Sequence, residues 1–194
     1  MRQTLPIHQV IPDLLAALQK SKRAVLTAPP GAGKTTYVPL ALLQSGLING
    51  RIVMLEPRRL AARTAAERMA KTLGEPIGET IGYRIRGEYK SSAKTKIEVV
   101  TEGILTRMLQ KDPSLDGVEA VIFDEFHERS LNADLGLALC LEVASALRDD
   151  LQLIVMSATL NASELANLLG NAPIVNSDGR AYPVKPIWLN RPLN

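Results

Sequence analysis

Cysteine is almost missing from this sequence of 194 residues, which contains only Cys140. A single cysteine excludes a disulfide bond within the chain, and this fits a reducing compartment such as the cytoplasm. No apolar run approaches the roughly 18 residues of a membrane span, and the N-terminal stretch MRQTLPIHQVIPDLL lacks the apolar core of a secretory signal. We therefore expect a cytoplasmic protein that is neither secreted nor embedded in a membrane.

Aromatic residues are also scarce, at 4% of the chain with Trp188 as the one tryptophan. Stacking of bases on aromatic rings is therefore not expected to be the main way in which this chain holds nucleic acid. The net charge of +3 and the pI of about 9.1 are compatible with a polyanionic partner but do not require one. Basic residues concentrate at 58–71 and 84–96, and charge alone favours ordinary solvated surfaces there.

Short β-branched runs alternate with longer helical patterns, in a composition that is typical of one globular domain. We predict strands over 23–28, 51–56, 80–85, 96–101, 119–125, 151–159 and 173–175, with a polar basic loop between the third and the fourth. Helices are predicted over 14–19, 34–44, 59–73, 102–109, 132–148 and 163–169. This alternation indicates an α/β fold with a mostly parallel sheet and helices on both faces. Ligands of such sheets bind beyond the carboxyl ends of the strands.

A glycine-rich segment, APPGAGKT at 28–35, follows the first predicted strand and opens a helix. The backbone N–H groups of such a P-loop and the helix N-terminus form a cradle for phosphate groups. Lys34 adds a charge for the β- and γ-phosphates, and the Thr35 hydroxyl can bind Mg²⁺. Ala28 replaces the first glycine of the pattern, which is permitted if its φ is negative. The predicted nucleotide-binding residues are Pro30, Gly31, Ala32, Gly33, Lys34, Thr35 and Thr36.

Paired carboxylates end another predicted strand, in the run VIFDEFH at 121–127. An acidic turn after a strand is common, but the P-loop on a separate strand strengthens a catalytic interpretation. Asp124 is then predicted to hold Mg²⁺, and Glu125 to polarise the attacking water. His127, beside these carboxylates, is a candidate for coupling the phosphate state to its neighbours. Ser157 and Thr159, at a further strand end, are weaker candidates for a link to a partner domain.

These three motifs, in this order, resemble motifs I, II and III of the superfamily 2 helicases. The sequence DEFH (124–127) is a variant of the DEAH box with phenylalanine in place of alanine, and EPRRLAA (56–62) is similar to motif Ia. TEG (101–103) is similar to motif Ib, and GYRIRG (82–87) resembles the segment that leads into a β-hairpin hook in that family. The chain is identified as the first RecA-like P-loop domain of a DEAH-box ATP-dependent RNA helicase. The runs LPIHQVIPDLLAAL, APPGAGKTT and DEFHERS are most similar to the bacterial HrpB-type subgroup.

This resemblance implies ATP and Mg²⁺ as cofactors and single-stranded RNA as a partner. Arg58, Arg59 and Thr101 match family positions that hold the RNA backbone. Arg68 matches the arginine that stacks on adenine, although a plain exposed helix residue is an equal alternative. Arg86 lies on a loop that adjoins the rim where the strands end, so we expect it to join the same nucleic-acid surface.

The resemblance also implies a domain boundary. We expect an ATP-binding domain over 1–180, and at 181–194 the start of a linker to a second RecA-like domain that carries motifs IV, V and VI. Hydrolysis and unwinding are expected to need that second domain. Two alternatives are a P-loop ATPase switch that binds a protein partner and a non-catalytic binding module. A DNA track instead of an RNA track also stays open.

Overall fold

Strands and α-helices alternate through the part of the chain that the computed structural model describes, residues 5–158 and 161–178. The strands are β1 (Arg23–Thr27), β2 (Arg51–Glu56), β3 (Ile81–Ile85), β4 (Glu88–Lys90), β5 (Ile97–Thr101), β6 (Val118–Phe123), β7 (Gln152–Ser157) and β8 (Ile174–Asn176). The helices are α1 (Ile11–Ser21), α2 (Lys34–Gln44), α3 (Arg59–Leu73), α4 (Glu102–Lys111), α5 (Leu131–Ala146) and α6 (Ala162–Leu168). Short 3₁₀ turns cover Pro6–Val10 and Phe126–Glu128.

The eight strands form one sheet in the order β4-β3-β5-β2-β6-β7-β1-β8. Neighbouring strands are parallel except for β3 and β4, which form an antiparallel hairpin. The predicted α/β class with a mostly parallel sheet is therefore confirmed. Loop structure was predicted for the whole segment between β3 and β5, and this was wrong for Glu88–Lys90. A strand of three residues is too short to show an alternating pattern. The sequence feature that indicated a hairpin was Gly87, which has φ +80° in the tight turn.

Helices cover both faces of the sheet, as predicted. Helices α1, α2 and α3 pack on one face, around a core that contains Leu14, Val38 and Met69. Helices α4, α5 and α6 pack on the other face, around a core that contains Leu105 and Cys140. Cys140 is fully buried, and this burial raises the pKa of its thiol to about 12. Within the described residues, no helix is long and apolar enough to cross a membrane.

A buried carboxylate holds the β3–β4 hairpin to the rest of the sheet. Glu98, in β5, has no exposed side-chain surface. Its Oε1 accepts hydrogen bonds from Nε and Nη2 of Arg84 in β3, at 3.2 and 2.9 Å, and from the Ser91 hydroxyl at 2.9 Å. Arg51 Nη1 lies 3.9 Å from Oε2 on the other side. These two arginines offset the cost of burying the charge, so removal of either would leave Glu98 poorly compensated.

Gly82 offers a test of how tightly the hairpin packs. A Cβ at this position would lie 2.5 Å from Ser91 Oγ and 2.6 Å from the Lys90 carbonyl oxygen, and a backbone atom cannot rotate away. We expect Gly82→Ala to lower the free energy of unfolding by about 1–3 kcal/mol in urea denaturation. In Gly103→Ala the new Cβ meets nothing within 4 Å, so this control in α4 should be neutral or stabilising. Equal stability of Gly82→Ala and the wild type would contradict the tight packing.

Candidate active site

The P-loop between β1 and α2 has the conformation that its glycines allow. Gly31 and Gly33 have φ of +78° and +93°, values that L side chains rarely adopt. Ala28 does not share this conformation, so the condition for alanine at the first position is met. A Cβ at Gly33 would also lie 2.7 Å from Leu5 Cδ1, which packs over the loop. The left-handed conformation therefore favours glycine at position 33, and a Cβ there would also require the Leu5 side chain to shift.

The backbone donors of this loop are available for an anion. Helix α2 begins at Lys34, so the N–H groups of its first turn, from Lys34 to Thr36, have no acceptor within the helix. The first intrahelical bond of the turn runs from Tyr37 N–H to the Gly33 carbonyl, at 3.0 Å. Ala32 differs, because its N–H donates to the Pro29 carbonyl at 3.2 Å. The conformation thus leaves the first-turn donors of α2 without intrahelical acceptors, whereas the Ala32 amide is engaged inside the loop.

A strained turn directs Glu125 towards the P-loop. Glu125 has φ +49° and ψ +35°, a left-handed conformation that costs a residue other than glycine about 1–3 kcal/mol. The turn is supported from below by Phe126, which is buried and meets the ring of Phe123 edge to face, with 6.1 Å between the centroids. The phenylalanine of the DEFH variant therefore fills a place in the second core. Packing of this kind can hold a strained residue in place.

Lys34 and Glu125 form the central ion pair of the site. The Lys34 ammonium, 3% exposed, donates to Glu125 Oε1 at 2.8 Å. A buried ammonium without a partner would be costly, so this carboxylate stabilises the lysine in its place at the start of α2. The pair joins the P-loop, which follows β1, to the acidic turn, which follows β6. Two residues 91 positions apart in the chain therefore meet.

Asp124 lies beneath this pair, and one of its oxygens lacks a partner. Its Oδ1 accepts from the Glu125 N–H at 2.8 Å, while the buried Oδ2 has no hydrogen-bond partner within the described residues. Burial raises the pKa of Asp124, and the nearby Thr35 hydroxyl and Lys34 charge oppose that shift. A buried carboxylate oxygen without a donor, next to a hydroxyl, has the chemistry of a hard-cation ligand.

Glu56, at the end of β2, is a second buried carboxyl group in this site. Burial raises its pKa to about 9, and the neighbouring charge of Asp124 adds to the shift. Two carboxyl groups in one dry place cannot both ionise without cost, unless a cation lies beside them. Glu56 was not among the predicted catalytic or binding residues, because it lies in the stretch that is similar to motif Ia. The feature that indicated a site residue here was a carboxylate side chain at the carboxyl end of a buried strand.

A cavity of about 680 Å³ opens above these groups, within the usual size range of small-molecule sites. Its walls include the predicted catalytic residue Glu125 and most of the predicted nucleotide-binding residues, namely Pro30, Gly31, Gly33, Lys34, Thr35, Thr36 and Arg68. Ala32 is buried and does not line it. The wall away from the P-loop is formed by α3, where Arg68 lies one turn beyond Thr64. Arg68 therefore faces the part of the cavity that is farthest along α3 from the strand ends. Leu5, Thr64 and Glu128 are lining residues that the sequence did not single out.

The residues predicted to hold nucleic acid lie on the same rim but differ in surroundings. Arg58 lines the cavity, and its Nη2 pairs with Glu128 Oε1 at 2.8 Å. Arg59 instead reaches the β3–β4 hairpin, where its Nη2 donates to the Arg86 carbonyl at 3.0 Å. Thr101 ends β5 beside β2 and precedes α4. The strand order thus brings these residues to one edge, although Arg58 is directed to the cavity.

The coupling candidate His127 contacts two parts of the site. Its Nδ1 accepts from the Ala158 N–H at 3.2 Å and lies 3.4 Å from Glu125 Oε2. Ser157 ends β7 and is buried. The acidic turn is therefore connected directly to the segment after β7. The predictions for Thr159 and for the linker at 181–194 concern positions outside the described residues.

No group of three or more His, Cys, Asp or Glu side chains that could hold a metal ion occurs among the described residues. In nucleotide sites Mg²⁺ is bound by one or two protein ligands, phosphate oxygens and water, and it does not need such a group. Asp124 and Thr35 provide such a pair. The site fits a metal that arrives together with a polyphosphate.

Comparison with known proteins agrees with the geometry. The sequence pattern of the family described as "DEAD/DEAH box helicase" matches residues 7–168. The chain is 54% identical to the ATP-dependent RNA helicase HrpB of Escherichia coli, with 98% of this chain and 24% of that protein aligned. It is 40% identical to the ATP-dependent RNA helicase HrpA of Borreliella burgdorferi, with 97% and 23% aligned. The chain therefore spans about a quarter of the length of these relatives.

Solved structures show the same relationship. A crystal structure of the Escherichia coli DEAH/RHA helicase HrpB superposes with a TM-score of 0.90 at 55% identity, over 94% of this chain and 23% of that one. A second crystal structure, of the Escherichia coli DExH-box NTPase HrpB, gives a TM-score of 0.91 at 54% identity, over 95% and 23%. Fold and sequence agree, and the family predicted from the motifs is confirmed. The chain belongs to the DEAD/DEAH box helicase family.

Proposed function

We propose that this chain binds ATP with Mg²⁺ and forms one wall of the motor of an RNA helicase. The observation that carries the proposal is the Lys34–Glu125 ion pair, which lies at a cavity above the partnerless Asp124 Oδ2. This arrangement provides, within one site, a cation for phosphate, a carboxylate for metal and a second carboxylate for water. The nucleotide requirement in the names of the relatives supports it.

Each residue has a distinct role in this proposal. The first-turn N–H groups of α2 bind phosphate oxygens, since the helix N-terminus favours negative charge. The Thr35 hydroxyl and Asp124 would hold Mg²⁺, and the bound ion would supply positive charge next to the transferred phosphoryl group. Lys34 leaves Glu125 for the phosphates. Glu125, released from that pair, orients a water molecule and accepts its proton.

The activity of the whole protein needs more than these residues. The chain spans about a quarter of the relatives named as ATP-dependent RNA helicases, and we propose that ATP hydrolysis there drives movement along RNA. Transition-state charge on the γ-phosphate requires an arginine from a second domain. In related reactions such an arginine contributes roughly 10³–10⁵ in rate. The isolated chain should therefore bind nucleotide but hydrolyse it slowly, and it should not unwind a duplex.

Nucleic acid is proposed to bind along the rim where the strands end. Arg59, Arg86 and Thr101 are brought to this rim by the parallel strands, and Arg86 is exposed at the hairpin turn. Contacts of arginine and threonine with phosphates position a strand without reading its sequence. We expect single-stranded RNA to be the natural ligand, and a matched DNA strand is the competing outcome in the test.

The nucleotide site is tested with Lys34→Ala in this chain. Loss of a charge-assisted hydrogen bond to phosphate should weaken ADP·Mg²⁺ binding roughly 10- to 150-fold in isothermal titration calorimetry. Lys94→Ala removes an exposed lysine that is paired only with Glu79, and it serves as the control with unchanged affinity. Equal affinity of Lys34→Ala and the wild type would place the phosphates elsewhere.

The assignment of Glu125 is tested in the full-length protein. Glu125→Gln should bind ATP with nearly normal affinity and lower kcat by roughly 10²–10⁴-fold, because the amide cannot accept the proton of the water. Single-turnover hydrolysis measures this effect, with Glu67→Gln on the exposed side of α3 as the control. Turnover at the wild-type rate in Glu125→Gln would mean that another residue is the base.

Binding of RNA is tested by fluorescence anisotropy with a labelled oligouridylate. We expect weak binding by this chain, with a Kd in or above the non-specific range of roughly 10⁻⁶–10⁻⁴ M, which weakens further with salt. Arg86→Ala should reduce the slope of log Kd against log salt by about 1, the value expected for the loss of one phosphate contact. Tight, salt-independent binding would contradict contacts with the backbone. Absence of binding to RNA and to DNA would favour a protein partner instead.

A further inference from the structure

The β3–β4 hairpin is held firmly against the helix that begins with Arg59. On one side of the hairpin, Tyr83 and Ile85 are buried in the core beneath α3. The Tyr83 hydroxyl donates to Glu88, and Arg63 of α3 forms an ion pair with the same carboxylate. Together with the bond from Arg59 to the turn, these contacts fix the hairpin relative to the strand-end rim.

The other side of the hairpin carries an exposed aromatic ring. Tyr89 pairs directly with Arg84 across the hairpin, so both side chains lie on the side opposite to Tyr83. Arg84 is held in place by the buried Glu98. Tyr89 is 70% exposed, and the other large apolar side chains that are strongly exposed among the described residues are aliphatic. Among the described residues, Tyr89 is therefore a strongly exposed aromatic ring, and it is paired across the hairpin with a guanidinium that Glu98 holds in place.

This ring lies close to the proposed RNA path. Arg84 is opposite Val100, which immediately precedes Thr101, and neighbouring strands are about 4.8 Å apart. Tyr89 is thus about 10 Å from the end of β5, on the hairpin that presents Arg86. The segment from 84 to 96 carries five basic residues and one acidic residue, and the acid, Glu88, is engaged by Arg63. A surface that combines positive charge with an exposed aromatic ring is suited to bind a polyanion that carries flat apolar groups.

We propose that Tyr89 stacks against a base of the single strand whose phosphates are held at Arg86 and Arg59. This inference rests on the proposed nucleic-acid function and adds a base contact to contacts that concern only the backbone. Every base has a flat face, so stacking would tolerate any sequence. The aromatic contact would also fix the position of one nucleotide relative to the rim. Phosphate contacts alone would fix that position less closely.

The experiment compares Tyr89→Ala with Tyr89→Phe and Tyr89→Trp in this chain, by anisotropy with oligouridylate. Tyr89→Ala should weaken binding about 5- to 150-fold, while the two aromatic variants stay within about twofold of the wild type. The salt slope of Tyr89→Ala should equal that of the wild type, because no phosphate contact is lost. Leu147→Ala, which removes an exposed side chain between the end of α5 and the start of β7, should change nothing.

A series of abasic probes separates stacking from any other effect of the substitution. For a probe whose missing base is the one that stacks, the wild type and Tyr89→Ala should bind equally weakly. Photocrosslinking of 5-iodouridine at that position should label Tyr89. Normal RNA binding by Tyr89→Ala, without a crosslink, would overturn this inference and leave the proposed function intact. Absence of RNA binding by the wild type would overturn both.

Discussion

The site depends on one constraint, which is that parallel strands all end at the same edge of their sheet. The P-loop follows β1, the acidic turn follows β6, and motif Ia follows β2. These segments are far apart in the chain, and each would be an ordinary turn by itself. The strand order β2-β6-β7-β1 brings their ends together. The ion pair between Lys34 and Glu125 is a direct consequence of that order.

The charges at this edge explain why the site is suited to a nucleotide with its metal. Lys34, Asp124 and Glu56 are all buried, and burying charged groups is costly unless they are paired. Lys34 is paired with Glu125, whereas burial raises the pKa of both Asp124 and Glu56, and the charge of Asp124 adds to the shift of Glu56. A divalent cation next to Asp124 would compensate the negative charge of the carboxylate. A phosphate next to Lys34 would compensate the positive charge of the ammonium. Glu125, which makes the ion pair with Lys34, is also the residue with the left-handed backbone at this edge.

A buried charge outside the cavity, that of Glu98, holds the β3–β4 hairpin to the sheet. Glu98 contributes nothing to the cavity, yet it is as fully buried as the apolar core. Its bonds to Arg84 and its approach to Arg51 connect β3, β5 and β2. A rigid hairpin can present Arg86 and Tyr89 at constant positions. Positions that hold nucleic acid need this rigidity, because a mobile side chain would lose more entropy on binding.

The sequence by itself determined the fold class, the P-loop, the acidic pair and the family. These features are local: a strand, a turn and a helix start are encoded in consecutive residues, so their spacing can be read directly. Even the tolerance for alanine at position 28 followed from the chemistry of one residue. The strand β4 was missed because three residues carry too little pattern, and its turn depends on a single glycine.

Only the tertiary structure decided which charges meet. The pairing of Lys34 with Glu125, of Arg58 with Glu128 and of Arg84 with Glu98 joins residues between 14 and 91 positions apart. It also decided that Glu56 shares a dry site with Asp124, and that Tyr89 faces water while Tyr83 is buried. Burial and pKa depend on neighbours from other strands, and a pattern along one strand does not contain those neighbours. The physical reason is that electrostatic energy depends on distance in space, which only the assembled sheet defines.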